Sequence, residues 1–267
     1  MDFTSLTFLF LFLPLLVTVY LLAQARYRPA VLLAGSLIFL WGRPSALVAY
    51  VLLVGGNFFL GRWIEKSTTA KIRTILGIFF NLAILLSYKV FTTFQPLWFT
   101  QTFERVLPDA FESALLDLVY PIGLSYVALQ MISYLVDVAR STTASEKNFL
   151  NFALYVTFFP KILTGPITPY RDMRADLPAP EPVLPNVADG LRRFAIGLIK
   201  KTLIADQLAK IANPAFNLST PSFTPQIAWL ALLAFTLQIY YDFSGFTDMA
   251  IGLGRAFGFT LPENFNQ

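Results

Sequence analysis

The stretch QIYYDFSGFTDMAIGLGRAFGFTLPENFNQ, residues 238–267, decides how the rest of the chain is read. It continues an apolar run, TPQIAWLALLAFTLQIYYDF (224–243), yet carries Asp242, Ser244, Thr247 and Asp248 where that run would end. A carboxylate in hydrocarbon is costly unless it is paired or wetted, so acids at this depth point to a site. Gly245 lies between the two acids and can break a helix. The following piece, TDMAIGLGRAFGF (247–259), is too short to cross a bilayer alone. Two readings stay open. Ser244 or Thr247 caps a new helix over 248–258. Alternatively, a discontinuous helix points its free N–H groups at a ligand in a polar pocket.

Working outward, the whole chain is too greasy for a water-soluble fold. Of its 267 residues, 56% are hydrophobic and 13% are charged, against about 25% charged in an ordinary soluble domain. Mean hydropathy is +0.61. The composition predicts an all-α polytopic membrane protein with about six to eight transmembrane or re-entrant helices. The lipid bilayer is therefore its first partner. Net charge is +4, but the basic residues sit between apolar runs, so membrane topology explains them and nucleic acid does not. The chain has no Cys and no His. That excludes disulfides, a thiolate nucleophile and an ordinary metal cluster, and it removes the commonest general base near neutral pH. Gly252-Leu253-Gly254 is a poor match to a dinucleotide loop, because no strand precedes it. Close helix packing is the better reading.

Five spans are predicted over 1–147: residues 3–25, 29–41, 45–63, 72–94 and 115–138. Ala23-Gln24-Ala25 has the look of a signal-peptidase site, but Met1-Asp2 supplies no basic start, so the first span is read as retained. Loops after spans one, three and five hold Arg26, Arg28, Arg62, Lys66, Lys71, Arg73, Arg140 and Lys147; the opposite loops hold only Arg43 and Arg105. The excess places the N-terminus outside and those loops in the cytoplasm.

Residues 148–267 are read as a re-entrant helix, a cytoplasmic-face helix and site-wall segments, within one membrane-embedded domain spanning 1–267. Pro160, Gly165, Pro166 and Pro169 interrupt the apolar stretch at 149–166, which predicts a broken helix buried in protein or lining a cavity. ADLPAPEPVLPNVADG (175–190) is read as a Pro-rich surface loop. Helix 188–212 gathers Arg192, Arg193, Lys200, Lys201 and Lys210 within about half a wheel, which suits a helix lying on or dipping into the cytoplasmic face, with a plain membrane span as the alternative. Two further charges are singled out. Lys89, late in span four, either marks a site or snorkels to the headgroups. Asp137 is expected to pair with Arg140 three residues on.

Three segments together resemble the membrane-bound O-acyltransferase family, in its alginate O-acetyltransferase-like bacterial branch. They are YPIGLSYVALQMISYLVDVAR (120–140), NFALYVTFFPKILTGPITPYRDM (151–173) and LQIYYDFSGFTDMAIGLGRAFGFTLPENFNQ (237–267). The resemblance implies a multi-helix fold around a funnel in a bacterial inner membrane. It also implies acetyl transfer from a cytoplasmic donor such as acetyl-coenzyme A, with no bound cofactor or metal. The implied acceptor is a hydroxyl of an exported polysaccharide such as alginate, or a periplasmic acyl-carrier protein, and other envelope polysaccharide-modification proteins are implied partners. The family's catalytic His is expected beyond Gln267, so the chain is read as the family's N-terminal portion and no catalytic residue is assigned within it. The expected funnel wall is Tyr240, Tyr241, Asp242, Ser244, Gly245, Asp248 and Met249, with Pro160, Gly165, Pro166 and Arg171. A transporter or an inactive assembly subunit is the alternative reading.

Overall fold

The computed structural model describes residues 1–41, 44–67, 69–102, 123–162, 165–216 and 224–265, and no strand occurs among them. The described helices are α1 (Leu13–Leu22, entered through a π-helical stretch Phe8–Phe12), α2 (Arg28–Leu40), α3 (Pro44–Glu65), α4 (Ala70–Thr102) and α5 (Leu124–Ala139). There follow α6 (Phe149–Thr157), α7 (Phe159–Ile162), α8 (Tyr170–Met173), α9 (Leu184–Ile199), α10 (Asp206–Phe216) and α11 (Pro225–Ala256). Three stretches, Leu47–Glu65, Ala70–Val90 and Pro225–Ala256, are long and apolar enough to cross a membrane. The chain is an all-α, multi-pass membrane protein.

It folds as two compact units. The first comprises Met1–Ala25, Leu163–Pro166 and Pro180–Gln267. At its centre α9, a π-helical stretch Lys200–Ala205 and α10 run on as one helix from 184 to 216, packed against α11. The two are antiparallel, because Gly190 meets Gly252 while Gly197 meets Gly245. Both glycine pairs are seven residues apart, so they fall on one face of each helix. A Cβ on Gly197 would lie 2.5 Å from the Gly245 carbonyl oxygen, and one on Gly252 would lie 2.6 Å from the Phe194 nitrogen. Only hydrogen fits there, and the backbones close on each other. The N-terminal segment packs on this hairpin: Phe3 is buried against Phe194 and Phe246, and the Tyr20 hydroxyl donates to the Phe257 carbonyl at 2.6 Å.

The second unit comprises Arg26–Ile162 and Ile167–Ala179. Here α3 and α4 are joined by reciprocal amides. Asn57 and Asn81 donate to each other at 2.9 and 2.8 Å, and each also donates to the carbonyl four residues back in its own helix. That closed set satisfies two amides inside apolar helices. Within the stretch 149–166 the helix is interrupted, running as Phe149–Thr157 and Phe159–Ile162. Asn148 caps α6 by accepting from the Leu150 N–H at 2.9 Å, and Pro160 cannot continue it, because its ring clashes with the preceding turn. The chain breaks at Phe158, and the freed Phe159 N–H donates to the Ser36 hydroxyl at 3.2 Å. Gly123 enters α5 at φ 75°, and a Cβ there would lie 3.2 Å from the Ile162 carbonyl carbon.

Several boundaries differ from expectation. Gly245 does not break the helix: α11 is continuous for 32 residues. Its cost as a helix glycine is offset by the close approach to Gly197, so neither Ser244 nor Thr247 is a cap. The basic helix starts at Leu184, with Pro185 in its first turn, rather than at 188. Proline lacks only an N–H that the first turn leaves unbonded anyway. The loop before it is therefore shorter than 175–190. The helix at the first span runs only from Phe8 to Leu22, and the fourth extends to Thr102. Of the fifth span, residues 115–122 lie outside the described residues, as do Arg43 and Arg105.

Candidate functional site

The acids of the opening stretch lie on the face of α11 that meets the basic helix. Asp248 accepts from Arg193 Nε at 3.0 Å and Nη2 at 2.9 Å through one oxygen, and from Lys200 Nζ at 2.7 Å through the other. Asp242 pairs with Lys201 at 2.9 Å, and Lys201 also holds Asp206 at 2.5 Å. Adjacent lysines on an α-helix point about 100° apart. Lys200 and Lys201 follow Gly197 by three and four residues, so both flank the seam with α11, and the π-helical turn at Lys200–Ala205, in which residues five apart share a face, brings Asp206 back to Lys201.

After α11 the chain turns at Gly258 (φ 81°) and runs back along the hairpin. Glu263 grips the outer edge of Arg193 with two bonds of 2.5 Å. Arg193 holds the Glu263 carboxyl below its ordinary 4.5, against a smaller opposing effect of burial. Phe265 packs edge-on against Tyr240 and Phe243. Between tail and hairpin lies a cavity of about 390 Å³, lined by Arg193, Ile196, Lys200, Ser244, Thr247, Asp248, Glu263 and Phe265. Ser244 is 2% exposed, and among the described residues its hydroxyl has no hydrogen-bond partner. A buried hydroxyl left unpaired beside a cavity is an opening for a ligand atom.

Of the expected wall, Ser244 and Asp248 line this cavity. Asp242, six residues before Asp248, flanks Gly245 on the other side of the seam and is not part of the cavity lining, and Met249 is fully buried against Gly197. Gly245 serves helix contact. Tyr240 is exposed, with its ring on Phe265 and Tyr241. Gly165 and Pro166 are buried in the same unit. Pro160 and Arg171 belong to the other unit, where Pro160 is buried and Arg171 is exposed. Arg171 sits 3.8 Å from Asp137. This corrects the expected Asp137–Arg140 pair: Arg171, distant in sequence, takes the role. Lys89 points outward from α4, the placement that snorkelling requires.

Sequence reasoning passed over Lys161. It is fully buried, with Nζ 3.9 Å above the Tyr155 ring and 3.4 Å from the Met173 sulfur. Among the described residues no carboxylate forms an ion pair with it. Tyr155, Tyr170, Tyr134 and Phe152 form a chain of ring contacts beside it. The rule that singled out Lys89, an ionisable group inside an apolar run, applies to Lys161 equally.

The profile of MBOAT, the membrane-bound O-acyltransferase family, matches residues 73–267. The chain belongs to the membrane-bound O-acyltransferase family. Among curated relatives, a probable alginate O-acetylase of Azotobacter vinelandii is 39% identical over 274 residues, covering 100% of this chain and 54% of that protein. A probable alginate O-acetylase of Pseudomonas syringae is 37% identical over 275 residues, covering 100% and 52%. A peptidoglycan O-acetyltransferase of Helicobacter pylori is 32% identical over 302 residues, covering 99% and 55%. The chain thus spans about half the length of these O-acyltransferase relatives. The family match takes in both the broken helix and the whole charged hairpin.

Proposed function

We propose that this chain forms part of an enzyme that transfers acetyl groups from a cytoplasmic donor of the acetyl-coenzyme A class to hydroxyls of an exported polysaccharide, alginate being the first candidate. The observation that carries the reading is the cavity between Arg193, Lys200, Asp248 and Ser244, placed inside the segment shared with polysaccharide and peptidoglycan O-acetylating relatives. Its residues bind and orient. Arg193 and Lys200 supply cationic N–H donors, and Ser244 supplies a free hydroxyl in a partly water-excluded space, where such contacts are strong. No proton-transfer step is assigned to them, and the chain contains no histidine to take one.

The proposed setting is a bacterial inner membrane with the N-terminus outside, with the lipid bilayer and envelope polysaccharide-modification proteins as partners. Other acceptors, such as an acyl-carrier protein, fit the same chemistry. The test is a chimera in which this chain replaces the matching part of the Azotobacter vinelandii relative, in a host lacking that relative. Acetyl ester in the secreted alginate is the expected result, lost on Arg193→Lys. A chimera that is inserted and stable yet leaves alginate unacetylated would falsify the proposal; flux of solute through it without transfer would favour a transporter.

A further inference from the structure

We infer that Arg193 is the recognition fork of an oxyanion site, and that Glu263 occupies this fork until a phosphate or carboxylate ligand displaces it. The two carboxylates on Arg193 are held very differently. Asp248 is 15% exposed and gripped by both Arg193 and Lys200. Glu263 is 53% exposed, lies on the non-helical stretch after α11, and has Arg193 as its ion-pair partner. Glu263 meets the outer edge of the guanidinium through Nη1 and Nη2. That two-point grip is the one an external carboxylate or phosphate would make.

Charge favours the exchange. With Glu263 in place, two cations of the cavity face two carboxylates; with Glu263 swung out, one positive charge is left over. Further donors are at hand. An ammonium has three N–H groups, and Lys200 commits one to Asp248 at 2.7 Å. The Ser244 hydroxyl has no partner among the described residues. The cavity beside the fork, about 390 Å³, is within the size range of small-molecule sites. An exposed ion pair is a weak interaction, so a ligand with more than one contact can displace it.

The acyl-transfer reading enters only in the choice of probes: coenzyme A for phosphate and a mannuronate oligomer for carboxylate. Binding of each to the detergent-purified chain is measured by equilibrium dialysis, at about 0.05 M and 0.5 M salt. Glu263→Gln should tighten one probe roughly three- to fivefold, with the gain larger at low salt. Arg193→Lys keeps a charge beside Asp248 but loses the fork, and should bind that probe more weakly than wild type. Tightening confined to coenzyme A assigns a phosphate ligand; tightening confined to the uronate assigns a carboxylate ligand. If Glu263→Gln tightens neither, or if Arg193→Lys binds as well as wild type, the inference is wrong. Should Arg193→Lys fail to fold, the Glu263→Gln result decides alone. Because the readout is binding, a chimera that does not acetylate leaves it untouched.

Discussion

Two regions keep cations away from water, and they do it by opposite means. In the hairpin of residues 184–216 with α11, the three half-buried cations each face a carboxylate: Arg193 and Lys200 on Asp248, Lys201 on Asp242. In the other unit Lys161 has an aromatic ring and a thioether instead. The first solution is charge against charge, so it responds to salt, pH and competing ions. The second is charge against a ring quadrupole and soft sulfur, so it responds to side-chain shape. A region meant to exchange partners gains from the first; a region meant to stay shut gains from the second.

The largest effect separates helix contact from charge. Gly252→Leu should cost about 3 kcal/mol or more, because the new side chain meets the Phe194 backbone. Gly55 in α3 has nothing within 4 Å of its would-be Cβ; Gly55→Ala should stabilise by up to about 1 kcal/mol. Thermal midpoints in detergent check both, and equal midpoints would remove the glycine pairs from the account of the hairpin. Next, Arg193→Met should destabilise by about 1 kcal/mol, since it leaves Asp248 with Lys200 alone and Glu263 without its cation. Adding Asp248→Asn should recover much of that loss, and an additive double mutant would refute the coupling.

Lys161→Met sharpens the other side of the comparison. Replacing a buried ammonium that has no carboxylate partner among the described residues with an apolar chain of similar length should leave stability unchanged or raise it by about 1 kcal/mol, independent of salt. A large loss would mean that Lys161 has an anionic partner. The smallest effect is at Glu263. Its pKa is lowered in the folded state, so its contribution is present above the ordinary 4.5 and is lost as pH falls through the folded value. The difference in midpoint between wild type and Glu263→Gln should be small near pH 7, under about 1 kcal/mol after solvent screening, and should vanish well below 4.5. A difference that persists in acid would assign the effect to packing.

The spans at α3 and α11 were legible because apolar length is a one-dimensional signal. The break before Pro160 was legible because proline acts locally. Gly245 was misread for the same reason: alone it suggests a break, and only the approach of Gly197 turns it into a contact. The start of the basic helix was missed because Pro185 was counted as loop. The pairing of Asp242 and Asp248 with Lys201, Lys200 and Arg193 depends on the register of two helices far apart in sequence. A trace of that register was nevertheless readable, since Gly190/Gly197 and Gly245/Gly252 repeat the same interval. Arg171 as the partner of Asp137 had no comparable signal.

The wide turn at Lys200–Ala205 holds one more residue than a regular winding would use. Removing a residue there would carry Asp206 round and away from Lys201 while leaving the glycine seam before it intact, because five residues close a turn of a π-helix but overshoot a turn of an α-helix. What resembles a flaw in the winding is the gear that lets one amine hold a carboxylate of its own helix as well as one of the neighbour.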